Sequence, residues 1–185
     1  TVSGELTTVD KFAFPGDGRT TLGTGLSTAR RNLAGAANSG TAAYFAGGYT
    51  GAAIVTTVDK FAFSDDSRTT LGTGLSAGTL SLAGAANSGT AAYFAGGYAG
   101  GNVDTVDKFA FSDDSRTTLG TGLSSAREVL AGAANSGTAA YFAGGSGWSS
   151  TVDKFAFSDD GRTTLGTGLS AATGQLAGAA NSGVL

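Results

Sequence analysis

Leu-Ala-Gly-Ala-Ala-Asn-Ser-Gly-Thr-Ala-Ala-Tyr-Phe-Ala-Gly-Gly (Leu33–Gly48) decides the fold. Two strand-like runs flank Asn38-Ser39-Gly40, which reads as a tight hairpin turn. Working outward, Thr-Val-Asp-Lys-Phe-Ala-Phe follows from Thr57 and recurs unchanged from Thr8, Thr105 and Thr151, at spacings of 49, 48 and 46. Arg-Thr-Thr-Leu-Gly-Thr-Gly-Leu-Ser begins at Arg19, Arg68, Arg116 and Arg162. The small-residue run begins at Leu33, Leu82, Leu130 and Leu176, whereas the Tyr-Phe run occurs only from Thr41, Thr90 and Thr138. Phe, Tyr, Val and Thr favour a pleated surface, and no stretch sustains a helical period between caps. Each repeat therefore predicts four short strands. That cadence, per 46–49 residues, belongs to the four-stranded antiparallel blade of an all-β propeller and not to a shorter solenoid rung.

Side-chain size predicts the order of strands within a blade. Leu-Ala-Gly-Ala-Ala is too small to fill a core but suits an innermost strand, where blades crowd round an axis. The pairs Phe12 with Phe14 and Tyr44 with Phe45 are expected to fill the widening wedge between blades. Each buried Phe contributes roughly 1.5–3 kcal/mol.

These residues resemble the kelch repeat. Its double glycine is matched by Gly47-Gly48, Gly96-Gly97 and Gly144-Gly145. Its third-strand aromatic is matched by Phe14, Phe63, Phe111 and Phe157, and its Arg before the next blade by Arg30 and Arg127. Leu22, Leu71, Leu119 and Leu165 stand where the family carries a fourth-strand Trp. The resemblance implies a kelch-like propeller whose second-to-third and fourth-to-first strand loops contact ligands. Low-charge, Thr/Ala/Gly-rich versions are similar to those of bacterial and bacteriophage surface proteins, so an extracellular or virion-surface location is expected.

Residues 1–185 read as one propeller domain, with repeat units starting near 8, 57, 105 and 151. In family order, the sequence opens on strands three and four of one blade. Three complete blades follow, then strand one of another. Three closures stay open: a four-blade ring with a composite terminal blade, an eight-blade ring of two chains, or a stretch of a longer array. The fourth copy's second strand is cut to Gly183-Val184-Leu185, and only Thr1 to Leu6 could stand in for it. An unclosed array leaves an edge strand that invites homodimers or higher assemblies.

The four copies differ in two places. One is the loop after the double glycine: Tyr49 to Thr56, Tyr98 to Asp104, and Ser146 to Ser150. The other is the connection between blades: Thr28 to Asn32, Ala77 to Ser81, Ser125 to Val129, and Ala171 to Gln175. Because antiparallel strands alternate in direction, both emerge on one face, while the invariant turns emerge on the other. The candidate ligand-binding residues on the variable face are Trp148, Tyr98, Tyr49, Asn102, Arg30, Arg31, Asn32, Arg127, Glu128 and Gln175. Aromatics beside Asn, Gln and Arg suit a sugar ring or a protein hot spot. Arg30 and Arg127, equivalent between blades, also fit an interblade ion pair. The net charge of −3 sits in the repeated segments; Glu5, Arg30, Arg31, Asp104, Arg127 and Glu128 cancel.

Several functions are excluded as expectations. There is no Cys for a disulfide or thiolate site and no His for a triad or a metal set. No leader-like apolar stretch opens the sequence, and no run approaches a membrane span. An acidic balance argues against a nucleic-acid partner. Asp65-Asp66 and its equivalents read as turn residues and not as a calcium loop. No cofactor or metal and no enzymatic activity are expected. The leading expectation is a binding or display module for a glycan or protein. The alternatives are a structural decoration protein whose role is assembly, and an intracellular kelch-type adaptor.

Overall fold

The computed structural model describes residues 4–13 and 16–178. Phe14 and the Gly183–Leu185 stretch discussed above lie outside them. A half-blade comes first, with β1 (Asp10–Phe12) antiparallel to β2 (Arg19–Thr21). The first full blade is β3 (Ala34–Asn38), β4 (Ala42–Ala46), β5 (Val58–Ala62) and β6 (Arg68–Thr70). The second is β7 (Ala83–Asn87), β8 (Ala91–Ala95), β9 (Val106–Ala110) and β10 (Arg116–Thr118). The third is β11 (Ala131–Asn135), β12 (Ala139–Ala143), β13 (Val152–Ala156) and β14 (Arg162–Thr164). Each full blade is a four-stranded antiparallel meander in sequence order. The protein is a β-propeller of such blades.

The small-residue strands are innermost, as their composition predicts: β7 packs against both β3 and β11. Glycine permits this approach. A Cβ on Gly84 would run into the carbonyl oxygen of Gly35, and one on Gly132 into that of Gly84. The wedges outside the axis are filled by aromatics. Tyr44, Tyr93, Phe94, Phe109, Phe142 and Phe155 are buried, with edge-to-face pairs Phe94–Phe109 and Phe142–Phe155 at 5.9 Å between centroids.

Two sequence expectations need correction. Phe12 does not fill a wedge. It is 56% exposed, while its equivalents Phe61, Phe109 and Phe155 are buried, because the half-blade has no inner strands beside it among the described residues. Leu6 does not belong to a substitute second strand either. Its carbonyl accepts from the Arg30 N–H as those of Val55 and Val103 accept from Thr79 and Arg127, so Leu6 lies in the lead-in to β1.

Candidate functional site

On the constant face the invariant turns tie neighbouring blades together. The Asn38 side chain accepts from the Gly89 N–H at 2.8 Å, and Asn87 accepts from Gly137 at the same distance. The first Asp of each Asp-Asp pair caps its own turn: Asp65 accepts from Ser67 N–H and Asp113 from Ser115 N–H, both at 3.0 Å. Hydrogen bonding from the Ser67 and Ser115 side chains, and then from their backbone N–H groups, holds both carboxyls below the usual range. The second Asp has a different role. Asp114 accepts from Tyr44 Oη at 2.7 Å and from Lys60 at 2.8 Å, and Asp160 accepts from Tyr93 at 2.7 Å and Lys108 at 2.7 Å. Each of these aspartates thus joins its blade to the preceding one. Burial, with the hydrogen bond to Asp114, pushes the Tyr44 phenol up to about 12. Sequence reading saw turn residues here. The available signal was that Tyr, Lys and the second Asp never vary among the copies that carry them.

On the variable face, the blade connections and the loops after the double glycines lie against each other. Arg31 and Tyr49 exchange backbone hydrogen bonds at 2.9 and 3.0 Å, as do Leu80 and Tyr98 at 2.8 and 3.1 Å. The last residue of each connection, Asn32, Ser81, Val129 or Gln175, is left-handed, with φ between 52 and 58°. These residues are chained from blade to blade. Ser81 N–H donates to Asn32 C=O, Val129 to Ser81, and Gln175 to Val129. A β-branched side chain is rare at positive φ, so Val129 carries backbone strain that this chain of bonds holds in place.

The structure sorts the candidates on this face. Trp148 is 74% exposed at a loop tip, with φ 55°. Asn32, Asn102 and Gln175 are exposed, and Tyr49, Tyr98 and Glu128 are half-buried. Arg31 is exposed but engaged, paired to Glu5 at 2.6 Å and lying 5.0 Å from the Tyr49 ring centroid. Asn102 donates to Ser146 Oγ at 2.8 Å, which brings two blades' loops together two residues before Trp148 in the sequence. Tyr49 donates its hydroxyl to Gly51 C=O at 2.7 Å, closing its own loop.

Arg30 and Arg127 are not ligand-facing. Arg30 reaches inward to Asp59 at 2.9 Å and Arg127 to Asp153 at 2.9 Å, with the guanidiniums and carboxylates buried. Each carboxylate also accepts from a serine ending the preceding blade and from an outer-strand threonine: Ser27 and Thr70 for Asp59, Ser124 and Thr164 for Asp153. A guanidinium at this depth in the sheet is a clamp between connection and blade.

Burial alone would raise the Asp59 and Asp153 carboxyls, but these donors outweigh it and both titrate below the ordinary value of 3.8. A depressed folded pKa means that the stabilisation is present above the unfolded pKa and is lost as pH falls through the folded one. With no His to titrate, the urea midpoint is expected to be flat from about pH 5 to 8 and to drop below about pH 4. A midpoint that rose on acidification to about pH 3 would contradict this assignment.

A cavity of about 1040 Å³ lies away from the variable loops. It opens between the half-blade and the first full blade and extends to the inner strands. Among the described residues no group of three or more acidic side chains is placed to hold a metal ion. No helix is long and apolar enough to cross a membrane.

No protein-family model and no curated protein matches the sequence. Among solved structures, the chain is similar to one titled "Structure of YjhT", with a TM-score of 0.70 and 14% sequence identity over 87% of this chain and 59% of that one. The chain thus spans about three fifths of the length of the structure it matches. At that identity the likeness bears on architecture alone, and it agrees with the blade topology in placing this chain among the β-propellers.

Proposed function

We propose that this protein is a non-enzymatic, kelch-like binding or display module that engages a glycan or protein through the variable face. The observation that carries the reading is the placement of Trp148. In a molecule whose other large aromatics are mostly packed between strands, an indole stands exposed in one of the two kinds of loop that differ from blade to blade. A rigid scaffold presenting changeable loops is the usual arrangement for recognition. Trp148 supplies the stacking surface, while Asn102, Asn32 and Gln175 supply hydrogen-bonding groups of the kind sugar hydroxyls accept and donate to. Repeated blades favour weak sites used together. An extracellular or virion-surface location fits this role.

The test is a broad glycan array probed with the wild-type protein and with Trp148→Ala. Selective binding is expected, weakened about 30-fold or more in the variant, since truncating a stacking Trp at the centre of a site costs about 2 kcal/mol or more. Because the indole is exposed, melting should be unchanged. Equal binding by the two proteins would remove the variable face from the proposal.

A further inference from the structure

In each full blade, the connection entering it lies against the first residue of the loop after its double glycine. Arg31 meets Tyr49, Leu80 meets Tyr98, and Glu128 meets Ser146, each pair joined through the backbone. At the first of these contacts the guanidinium lies 5.0 Å from the ring centroid, a cation on an aromatic face. At the third both partners are changed. A carboxylate stands in place of the cation, and a hydroxyl in place of the ring. The loop there is also the shortest of the three, five residues against eight and seven. A Cβ on Gly147 would meet nothing within 4 Å, and Trp148 is 74% exposed. The place that half-buried phenols fill in the other two blades is therefore open, with Glu128 beside it and the indole two residues along.

Charge singles out the same place. In sequence, Glu5, Asp104 and Glu128 balance Arg30, Arg31 and Arg127. Folding takes the cations out of that balance: Arg30 and Arg127 are buried on Asp59 and Asp153, and Arg31 pairs with Glu5 at 2.6 Å. The carboxylates of Asp104 and Glu128 make no ion pair among the described residues. Both acids belong to the boundary between the second and third full blades, where the Arg127 N–H donates to Val103 C=O and so joins the residues that precede them. Ser146 Oγ accepts from Asn102 at 2.8 Å and from the Glu128 N–H at 3.2 Å. With both lone pairs engaged, its hydroxyl hydrogen is left to donate to a ligand.

We propose that this boundary binds a protonated amine carried on a sugar, so that the ligand of the variable face is a glycan whose hexosamine lacks its N-acetyl group. The inference rests on the reading of that face as the recognition face. The ammonium occupies the open place and donates to the Glu128 carboxylate, a charge-assisted bond, while Asp104 adds to the attracting field. Ser146 donates to a neighbouring sugar hydroxyl, and the Trp148 indole takes the apolar face of the ring. Neutral hydrogen-bonding groups round the carboxylate, Asn102, Ser146 and Gln175, suit a polyhydroxylated ring better than a lysine, whose stem offers them nothing to bind.

The test is calorimetric titration of the full chain with a glucosamine hexasaccharide and its fully N-acetylated counterpart, in mildly acidic buffer where the amines are protonated. The amine form is expected to bind about tenfold or more tightly, and to weaken as salt is raised. Glu128→Gln should weaken the amine form about tenfold and leave the acetylated form unchanged. Glu5→Gln, which removes the same charge elsewhere on the face, should alter neither. Ser146→Tyr gives the third blade the ring that the other two already carry, so it should melt like wild type and bind the amine form about tenfold or more weakly. Preference for the acetylated form, full binding by Glu128→Gln, or full binding by Ser146→Tyr overturns the proposal. So does hexalysine binding as tightly as the amine sugar, which would give the site to a basic peptide. A neutral or anionic glycan from the array, lost in Trp148→Ala, would keep the recognition face and remove the amine. Silence from the array and from both hexasaccharides would remove both.

Discussion

Asp153→Ala is expected to destabilise the protein by about 3–5 kcal/mol, the range for removing one partner of a buried ion pair. The substitution strands the Arg127 guanidinium, which is buried and whose Nε already lacks a partner. It also orphans Ser124 and Thr164, which donate to the same carboxylate at 2.9 and 2.6 Å. For a chain of this size the melting temperature should fall by about 10 °C.

The second full blade contains its own control. Thr79 occupies the position of Arg30 and Arg127, and Asp107 keeps its serine and threonine donors, Ser76 and Thr118, without a buried arginine. Arg127→Thr therefore repeats an arrangement that the fold already tolerates, and it should cost markedly less than Asp153→Ala. Thermal melts of both variants check the order. Equal losses would mean that the arginine, and not the carboxylate, organises the clamp.

Gly132→Ala is the second large effect expected. A single methyl there runs into the Gly84 carbonyl, so the third blade must move outward from the axis or the inner strands must part. Overpacking of this kind costs about 1–3 kcal/mol, and here the obstructing atom is backbone that cannot change rotamer. Gly35→Ala is the matched comparison, since its methyl meets only an aromatic edge at ordinary contact distance. It should be neutral or slightly stabilising, because alanine loses less conformational entropy on folding. Chemical denaturation of the pair measures the difference directly. A Gly35→Ala loss as large as that of Gly132→Ala would show the first blade's inner face to be covered.

Much of this architecture was legible in the sequence because repetition exposes it. Four segments recurring together fix four strands per blade. The invariant Asn-Ser-Gly and Asp-Asp turns fix where the chain reverses, and the Ala/Gly run can face only a crowded axis. With strands numbered outward, alternation places both variable loops on one face without any coordinates. Trp148 could be named as a candidate on that basis.

What pairing and loop position cannot decide is which way a side chain points once blades meet, and there the tertiary structure was needed. Arg30 and Arg31 are adjacent in sequence, yet one is buried on Asp59 and the other lies in solvent over Tyr49. Asp65 and Asp66 are adjacent as well, yet one caps a turn and the other receives Lys11 from the preceding blade. Phe12 and Phe61 occupy the same place in identical heptapeptides, and one is exposed while the other is buried. The sequence by itself determined the blade, because strand order and turns follow from local size, alternation and Gly/Asn/Asp chemistry. Only the tertiary structure decided what each blade meets, because burial and ion pairing depend on the neighbouring blade, a partner roughly fifty residues away or, at β1, missing among the described residues.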